Sequence, residues 1–274
     1  MRKILVLLTG IVLIQACGNK QGTGDKYIKD KDTVCQKAYS ADHMIMSVLY
    51  FQKAAENRAL YYQAFNTAKL MLDNDLKGKT KGKKAVVLDI DETVLDNSPY
   101  EAQNILGKFG YPEKWEEWCS MSKAEPVPGV VNFLKYAIEK GYDIFYITNR
   151  KEKLKDATLK NLTGKGLPMA DEAHVLFRTA ETSKESRRQQ VMKTHQIILL
   201  IGDNLADFTA AFDKTSGPDQ RAAITDSLKA EFGKRFIVLP NAMYGDWEMA
   251  LYPDPKASFA VKDSIRRANL KGFN

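Results

Sequence analysis

Asp89, Asp91 and Glu92 fall within four residues, and the apolar run Ala85 to Leu88 leads straight into them. Like charges this close repel one another, so a metal ion, a basic side chain or exposure to water must compensate them. Two further apolar runs end in the same manner. "FYITNR" closes on Thr148, Asn149 and Arg150, and "LLIGDNLAD" closes on Asp203 and Asp207. The last two acids are four residues apart, a spacing that one helical turn brings to a common side. Carboxylates from two such tips would form the hard, oxygen-rich pocket that magnesium favours. With three histidines (His43, His174, His195) and three cysteines, the chain offers no convincing zinc ligand set.

For these acids to converge, the runs that precede them must be neighbours in one sheet. "AVVLD", "DIFYIT", "HVLF", "QIILLIGD" and "RFIVLP" are short and rich in valine, isoleucine and leucine. Between them, "PGVVNFLKYAIEKG", "KEKLKDATLKNLTGKG" and "TSKESRRQQVMK" carry helical spacing, with stops such as Gly141 and Gly166 and with Pro128 suited to a first helical turn. The alternation predicts an α/β fold, a doubly wound and mostly parallel sheet covered on both faces. Sheets of this kind bind ligands just outside the carboxyl ends of their strands, which is where the acids lie. Ahead of the sheet core, which starts at about residue 83, apolar and aromatic residues from Met46 to Leu72 recur at helical steps and predict two helices within 32–76. Lys77 to Lys84 reads as a basic, solvated link.

The chain begins with a basic pair, Arg2 and Lys3, then an apolar run from Ile4 to Ile14, then "IQAC". This is the form of a secretory signal over residues 1–16, and its apolar part is well short of the roughly 20 residues that span a bilayer. "LIQAC" resembles a bacterial lipobox, which would make Cys17 the lipidated N-terminus of the mature chain. Residues 17–31 then read as a polar, glycine-rich tether, and the lipid as the sole membrane contact. Gly18 is not the aspartate that often retains lipoproteins in the inner membrane, so the outer membrane is expected. The formal charge of +7 fits an anionic substrate but is too small and dispersed to argue for nucleic acid. Cys35 and Cys119 are expected as unpaired thiols.

In order along the chain, "VVLDIDETVLDNSPY", "FYITNR", a later lysine, "IGDNLADF" and "FIVLPNAMYGDWE" resemble the motifs of the haloacid dehalogenase (HAD) superfamily of phosphatases. The closer likeness is to class C nonspecific acid phosphatases, bacterial envelope lipoproteins, and it runs from about residue 45 to about residue 252. The resemblance implies an acid phosphatase domain over 32–274 with a cap insertion at about 99–127, and magnesium-dependent hydrolysis of phosphomonoesters. It makes Asp89 the nucleophile that forms an aspartyl-phosphate, and Asp91 the acid that protonates the leaving oxygen and then deprotonates water. An aspartate of ordinary pKa is seldom protonated at neutral pH, so an acidic optimum follows. Magnesium would be held by Asp89, Asp203 and the backbone carbonyl of Asp91.

By the same resemblance, Thr148 and Asn149 hold phosphate oxygens, although either could cap a helix starting near Lys151. Lys184, 19 residues before Asp203, falls at the phosphate-clamping position. Asp207 binds a metal-bound water or orients Lys184, and Asp203 could otherwise cap a helix near Leu205. Arg187 and Arg188 read as a basic helix face, Arg150 as substrate-facing or a surface charge. Glu92, Asp96, Asn97 and Ser98 read as local structure. Trp115 and Tyr244 match positions where relatives with 5'-nucleotidase activity stack the substrate's base, which adds nucleoside 5'-monophosphates to the expected substrates; Trp118 and Trp247 are assigned to the core. The same residues would serve a phosphotransferase. A lipoprotein that only binds its ligand would be expected to have lost at least one of Asp89, Asp91, Lys184 and Asp203. Whether the chain forms a homo-oligomer is left open.

Overall fold

The computed structural model describes residues 40–78, 82–214 and 217–273. The leader, the tether, Cys17 and Cys35 lie outside the described residues. Ser40–Met44 forms a 3-10 turn, followed by helices α1 (Ile45–Lys53) and α2 (Ala55–Leu76). Ala54 between them is extended, with φ −75° and ψ 126°, which interrupts the helical hydrogen bonds and leaves two helices rather than one. Next come β1 (Lys84–Leu88), β2 (Leu95–Asp96), α3 (Ser98–Gly107), α4 (Trp115–Ser120) and β3 (Glu125–Pro126). The remaining chain runs α5 (Val130–Glu139), β4 (Asp143–Lys151), α6 (Lys155–Gly164), β5 (Val175–Arg178), α7 (Glu185–Met192) and β6 (Gln196–Gly202). It closes with α8 (Pro218–Ser227), β7 (Phe236–Val238), α9 (Asp246–Met249) and α10 (Phe259–Ala268).

Five strands form one sheet in the order β5-β4-β1-β6-β7, and every pairing within it is parallel. Period-2 alternation sends side chains to two dry faces. Val86, Leu88, Ile144, Tyr146, Leu199 and Ile201 face a core shared with α2 and α5, while Ala85, Val87, Phe145, Ile147 and Leu200 face another shared with Val191 of α7 and with Phe208. Tyr61, Phe65, Ala68 and Leu72 recur at four- and three-residue steps on α2 and are at most 2% exposed. Each large apolar side chain buried in this way contributes roughly 1.5–3 kcal/mol, so packing on the sheet, more than helix propensity, fixes α2. Pro128 is not in a first turn: α5 begins at Val130, with Gly129 at its N-cap in the left-handed region, φ 87°. A Cβ at Gly129 would also come within 3.1 Å of the Tyr62 ring.

β2 and β3 pair antiparallel, so residues 97–124 leave the sheet and return as a separate excursion closed by a two-stranded base. Glu101 on α3 is buried there, and its carboxylate accepts from Asn104 at 2.9 Å. Burial moves its pKa from an ordinary 4.5 to about 7. Between those values the unfolded chain ionises at Glu101 while the folded chain keeps the proton, so stability falls as pH rises through this window and is flat above it. The expected difference is about 3 kcal/mol across the window. Thermal unfolding of Glu101→Gln against the parent should show the variant gaining relative stability from pH 4.5 to 7. A gap that does not change with pH would contradict a buried, ionisable Glu101.

Candidate active site

β1 and β6 lie side by side, with Leu88 opposite Ile201 on one flank and opposite Tyr146 of β4 on the other. The backbone N–H of Asp89 donates to the Ile201 carbonyl at 3.0 Å, carrying the ladder one residue past β1. Asp203 and Thr148 therefore arrive one residue beyond the level of Asp89, at the same end of the sheet. Asp89, Asp203 and Asp207 each place a carboxylate oxygen within 4.8 Å of the others. Lys184 Nζ stands 2.5 Å from Asp89 Oδ1 and 2.6 Å from Asp207 Oδ1.

Three acids against one ammonium leave an excess of negative charge, and their titration reflects it. Asp89 is pushed well above the carboxylate range by burial, with Lys184 opposing and Asp207, Asp203 and Asp91 reinforcing the rise. Burial and then Asp207 push Asp203 up to about 7. Burial works against charge on Lys184 too, but Asp207 and Asp89 outweigh it and hold the ammonium above its ordinary value. A compact set of hard oxygen donors with an unmet negative charge fits a divalent cation. Asp203 accepts from Thr93 Oγ1 at 3.0 Å and Asn241 Nδ2 at 2.9 Å, donors that would orient it as a ligand.

Asp207 is set apart from its neighbours by its partners. One oxygen takes Lys184, and the other takes the Asn204 backbone N–H at 3.0 Å. Asn204, not Asp203, caps the short turn Leu205–Asp207, its side chain accepting from Ala206 N–H at 3.2 Å. Gly202 makes room for this arrangement, since a Cβ there would lie 2.2 Å from Asp207 Oδ2. No reading of the sequence gave Gly202 a role, although it stands within "IGDNLAD".

Asp91 is held differently. Arg150 reaches its Oδ1 with Nε at 2.9 Å and Nη2 at 2.7 Å, and Asn97 Nδ2 reaches the same oxygen at 2.8 Å. Arg150 is buried and so is not a surface charge, and Asn97 is a buried partner of Asp91 rather than a plain turn former. Glu92 takes a left-handed φ of 56°, its carboxylate accepts from Asn97 N–H at 2.7 Å and from the Tyr244 hydroxyl, and its carbonyl accepts from Tyr61 at 2.6 Å.

Thr148 is fully buried and Asn149 is exposed. Neither caps a helix, because β4 continues to Lys151 and the short turn after it has no side-chain cap. Arg187 and Arg188 overturn the reading of a basic helix face, being 8% and 3% exposed. Arg187 donates to the Thr148 carbonyl and to Asn149 Oδ1, and Arg188 to the carbonyls of Ala206 and Asp207 at 3.0 and 2.9 Å. Together they strap α7, which Lys184 opens, between the β4 tip and the Asp207 turn.

Of the aromatics, half-buried Trp115 packs edge-on to Tyr100 at 5.0 Å and lies 5.4 Å from the Arg150 guanidinium. Trp118 packs against the core and donates to Asn97 Oδ1 at 2.8 Å. Trp247 is not a core residue: it is 48% exposed and lines a cavity of about 270 Å³ beside Asp203, with Arg221 and Thr225 opposite. Cys119 is a buried free thiol.

A parallel sheet in this order, with acids beyond β1 and β6 meeting a lysine at the start of α7, defines a HAD-type fold and site. The chain belongs to HAD subfamily IIIB, the acid phosphatases, whose family model matches residues 11–247. The class C acid phosphatase of Bacillus anthracis is 51% identical, superposes with a TM-score of 0.82, and is matched over 85% of this chain and 99% of its own. A second structure from that organism, a class C acid phosphatase with tungstate bound, is 50% identical with a TM-score of 0.81 over the same shares. Vegetative storage protein 1 of Arabidopsis thaliana is 28% identical over 62% of this chain, which spans only 63% of that relative's length. The likeness to class C phosphatases read from the motifs is borne out.

Arg150 reaches Asp91 Oδ1 through two nitrogens of a rigid fork, which a lysine cannot reproduce. If Asp91 handles a proton in the reaction, misplacing it by about 1 Å can cost about 100-fold, and Arg150→Lys should lower kcat/KM on phosphomonoesters by about 10- to 100-fold. Steady-state kinetics beside near-UV circular dichroism checks this; a folded variant with unchanged kcat/KM would show that the fork does not set Asp91.

Proposed function

We propose that the protein is a magnesium-dependent acid phosphatase of the cell envelope that hydrolyses phosphomonoesters, nucleoside 5'-monophosphates among them. The observation that carries the reading is Lys184 held between Asp89 and Asp207 beside Asp203. A phosphomonoester repels anionic nucleophiles, and this is where a cation and an ammonium can both offset its charge. Asp89 attacks phosphorus, and the bond to the leaving oxygen breaks as Asp91 donates its proton there. Asp91 then takes a proton from the water that attacks the aspartyl-phosphate, which releases phosphate and restores Asp89. Thr148, Asn149 and Lys184 hold the phosphate oxygens meanwhile. Magnesium, held by Asp89, Asp203 and the Asp91 carbonyl, would supply charge neutralisation. The tungstate bound in a similar class C enzyme supports an oxyanion site here. Cys17, through its lipid, would tie the chain to the outer membrane; no helix among the described residues is long and apolar enough to cross one.

Asp89→Asn removes the nucleophile while leaving Lys184 its contact with Asp207, so the fold should persist and turnover should fall on the order of 10⁴-fold or more. EDTA should silence the parent, and magnesium should restore it. Turnover of any phosphomonoester by Asp89→Asn near the parental rate would sink the mechanism.

Tyr244 supplies the test of nucleotide preference. Its hydroxyl is committed to Glu92, which orients the ring. Base stacking is worth roughly 1–3 kcal/mol, or about 5- to 150-fold. Tyr244→Ala should lose about that factor in kcat/KM for a nucleoside 5'-monophosphate and little for glycerol phosphate, whereas Tyr244→Phe, which keeps the ring, should retain most nucleotide activity. Equal losses on both substrates would mean that Tyr244 supports the fold instead.

A further inference from the structure

Helix α10 is mounted with its polar side inward. Phe259, Lys262 and Arg266 face the body: the His43 ring lies 5.9 Å from Phe259, the Lys262 ammonium lies 5.1 Å from the Tyr252 ring, and Arg266 donates to Glu248 at 2.8 Å. The opposite face carries Ala260, Val261, Ser264, Ile265 and Ala268, which line a shallow groove of about 430 Å³. Val261 is 49% exposed, and beyond the helix Leu270 and Phe273 are 78% and 101% exposed. A helix that covers a core does the reverse, placing its apolar stripe inward.

Charge says what would cover this face. From Pro253 to the end the chain exposes Lys256, Arg267 and Lys271 against Asp254, Arg267 being paired with Asp263 at 2.8 Å, while Lys262 and Arg266 turn toward the body. A second copy docking the same face by two-fold symmetry would bring two such basic segments together, which like charge opposes. An anionic lipid surface satisfies both features, taking apolar side chains at the acyl boundary and cations at the headgroups. Arg266 lies 3.1 Å from His43, so α10 is braced against the first described element. We infer that α10 and the residues after it form an amphipathic docking surface for an anionic membrane, independent of catalysis and additional to any lipid.

Residues 18–274 test this without leader or lipid; they contain the compact unit 40–274, and a similar protein matched over 85% of this chain has been solved as a structure. Co-sedimentation with vesicles of mixed phosphatidylglycerol and phosphatidylcholine should show binding, and pure phosphatidylcholine should show far less. Val261→Glu with Ile265→Glu should weaken the partitioning at least about tenfold with kcat/KM on a small phosphomonoester unchanged. Lys256→Ala with Lys271→Ala should weaken it about fivefold per cation. Absent binding, equal binding to both vesicle types, or binding that Val261→Glu with Ile265→Glu leaves intact would each overturn the proposal. So would sedimentation of a dimer that this double substitution dissociates without any vesicle binding, which would assign the face to a second copy.

Discussion

Asp89, Asp203 and Asp207 share a buried space with a single ammonium, and much of the molecule is arranged to keep them there. Two unit charges 4 Å apart interact by about 4 kcal/mol at the dielectric of a protein's edge, so three acids left to themselves would separate or take up protons. They cannot separate, because Asp89 and Asp203 follow adjacent strands whose residues are packed on both faces. What remains is to share a cation and to bind a further one. The same unmet charge would favour a divalent cation among these three carboxylates.

Holding the lysine in place takes a surrounding frame. Lys184 sits at the start of a helix whose next two buried residues, Arg187 and Arg188, bond the backbones of the two neighbouring tips. Burial lowers the Arg187 pKa, yet guanidinium stays charged in any accessible range, so the strap does not depend on pH. On the far side Glu92 performs a comparable task in the opposite sign, a buried carboxylate that gathers Asn97 and Tyr244 and lets the chain turn away from β1 through a left-handed residue. The strain of that backbone, roughly 1–2 kcal/mol, is outweighed by the bonds that the turn makes available.

The sheet and the position of the acids were legible because both rest on local signals: strand runs of buried residues, stops at glycine, and polar residues where a parallel sheet must bind. Arg187 and Arg188 were misread for one reason. "ESRRQQVM" has almost no apolar stripe, and a helix that is polar all round is ordinarily taken as solvated; here it packs its arginines on carbonyls and on a polar site, a partner that no periodicity reveals. Asn97 and Ser98 carry turn chemistry in their own right, so nothing local distinguishes a plain turn from one whose asparagine also grips Asp91. Trp247 failed as a core residue because its neighbours form a cavity wall, which composition does not report. Long-range polar pairing is the part of the site that needs the fold to be seen.

The excursion between β2 and β3 gains its meaning from where its tryptophans land. Both tryptophans of α4 meet a partner of Asp91: Trp115 lies over the Arg150 guanidinium, and Trp118 donates to the Asn97 side chain. Arg150 and Asn97 in turn converge on a single oxygen of Asp91. The excursion is thus joined to Asp91 by two routes, one through the face of a ring and one through a hydrogen bond. A substrate that rests against Trp115 would press on the same contact that orients Asp91. Under the proposed mechanism, recognition of the leaving group and its protonation would both depend on one element, α4, through the contacts of Trp115 and Trp118.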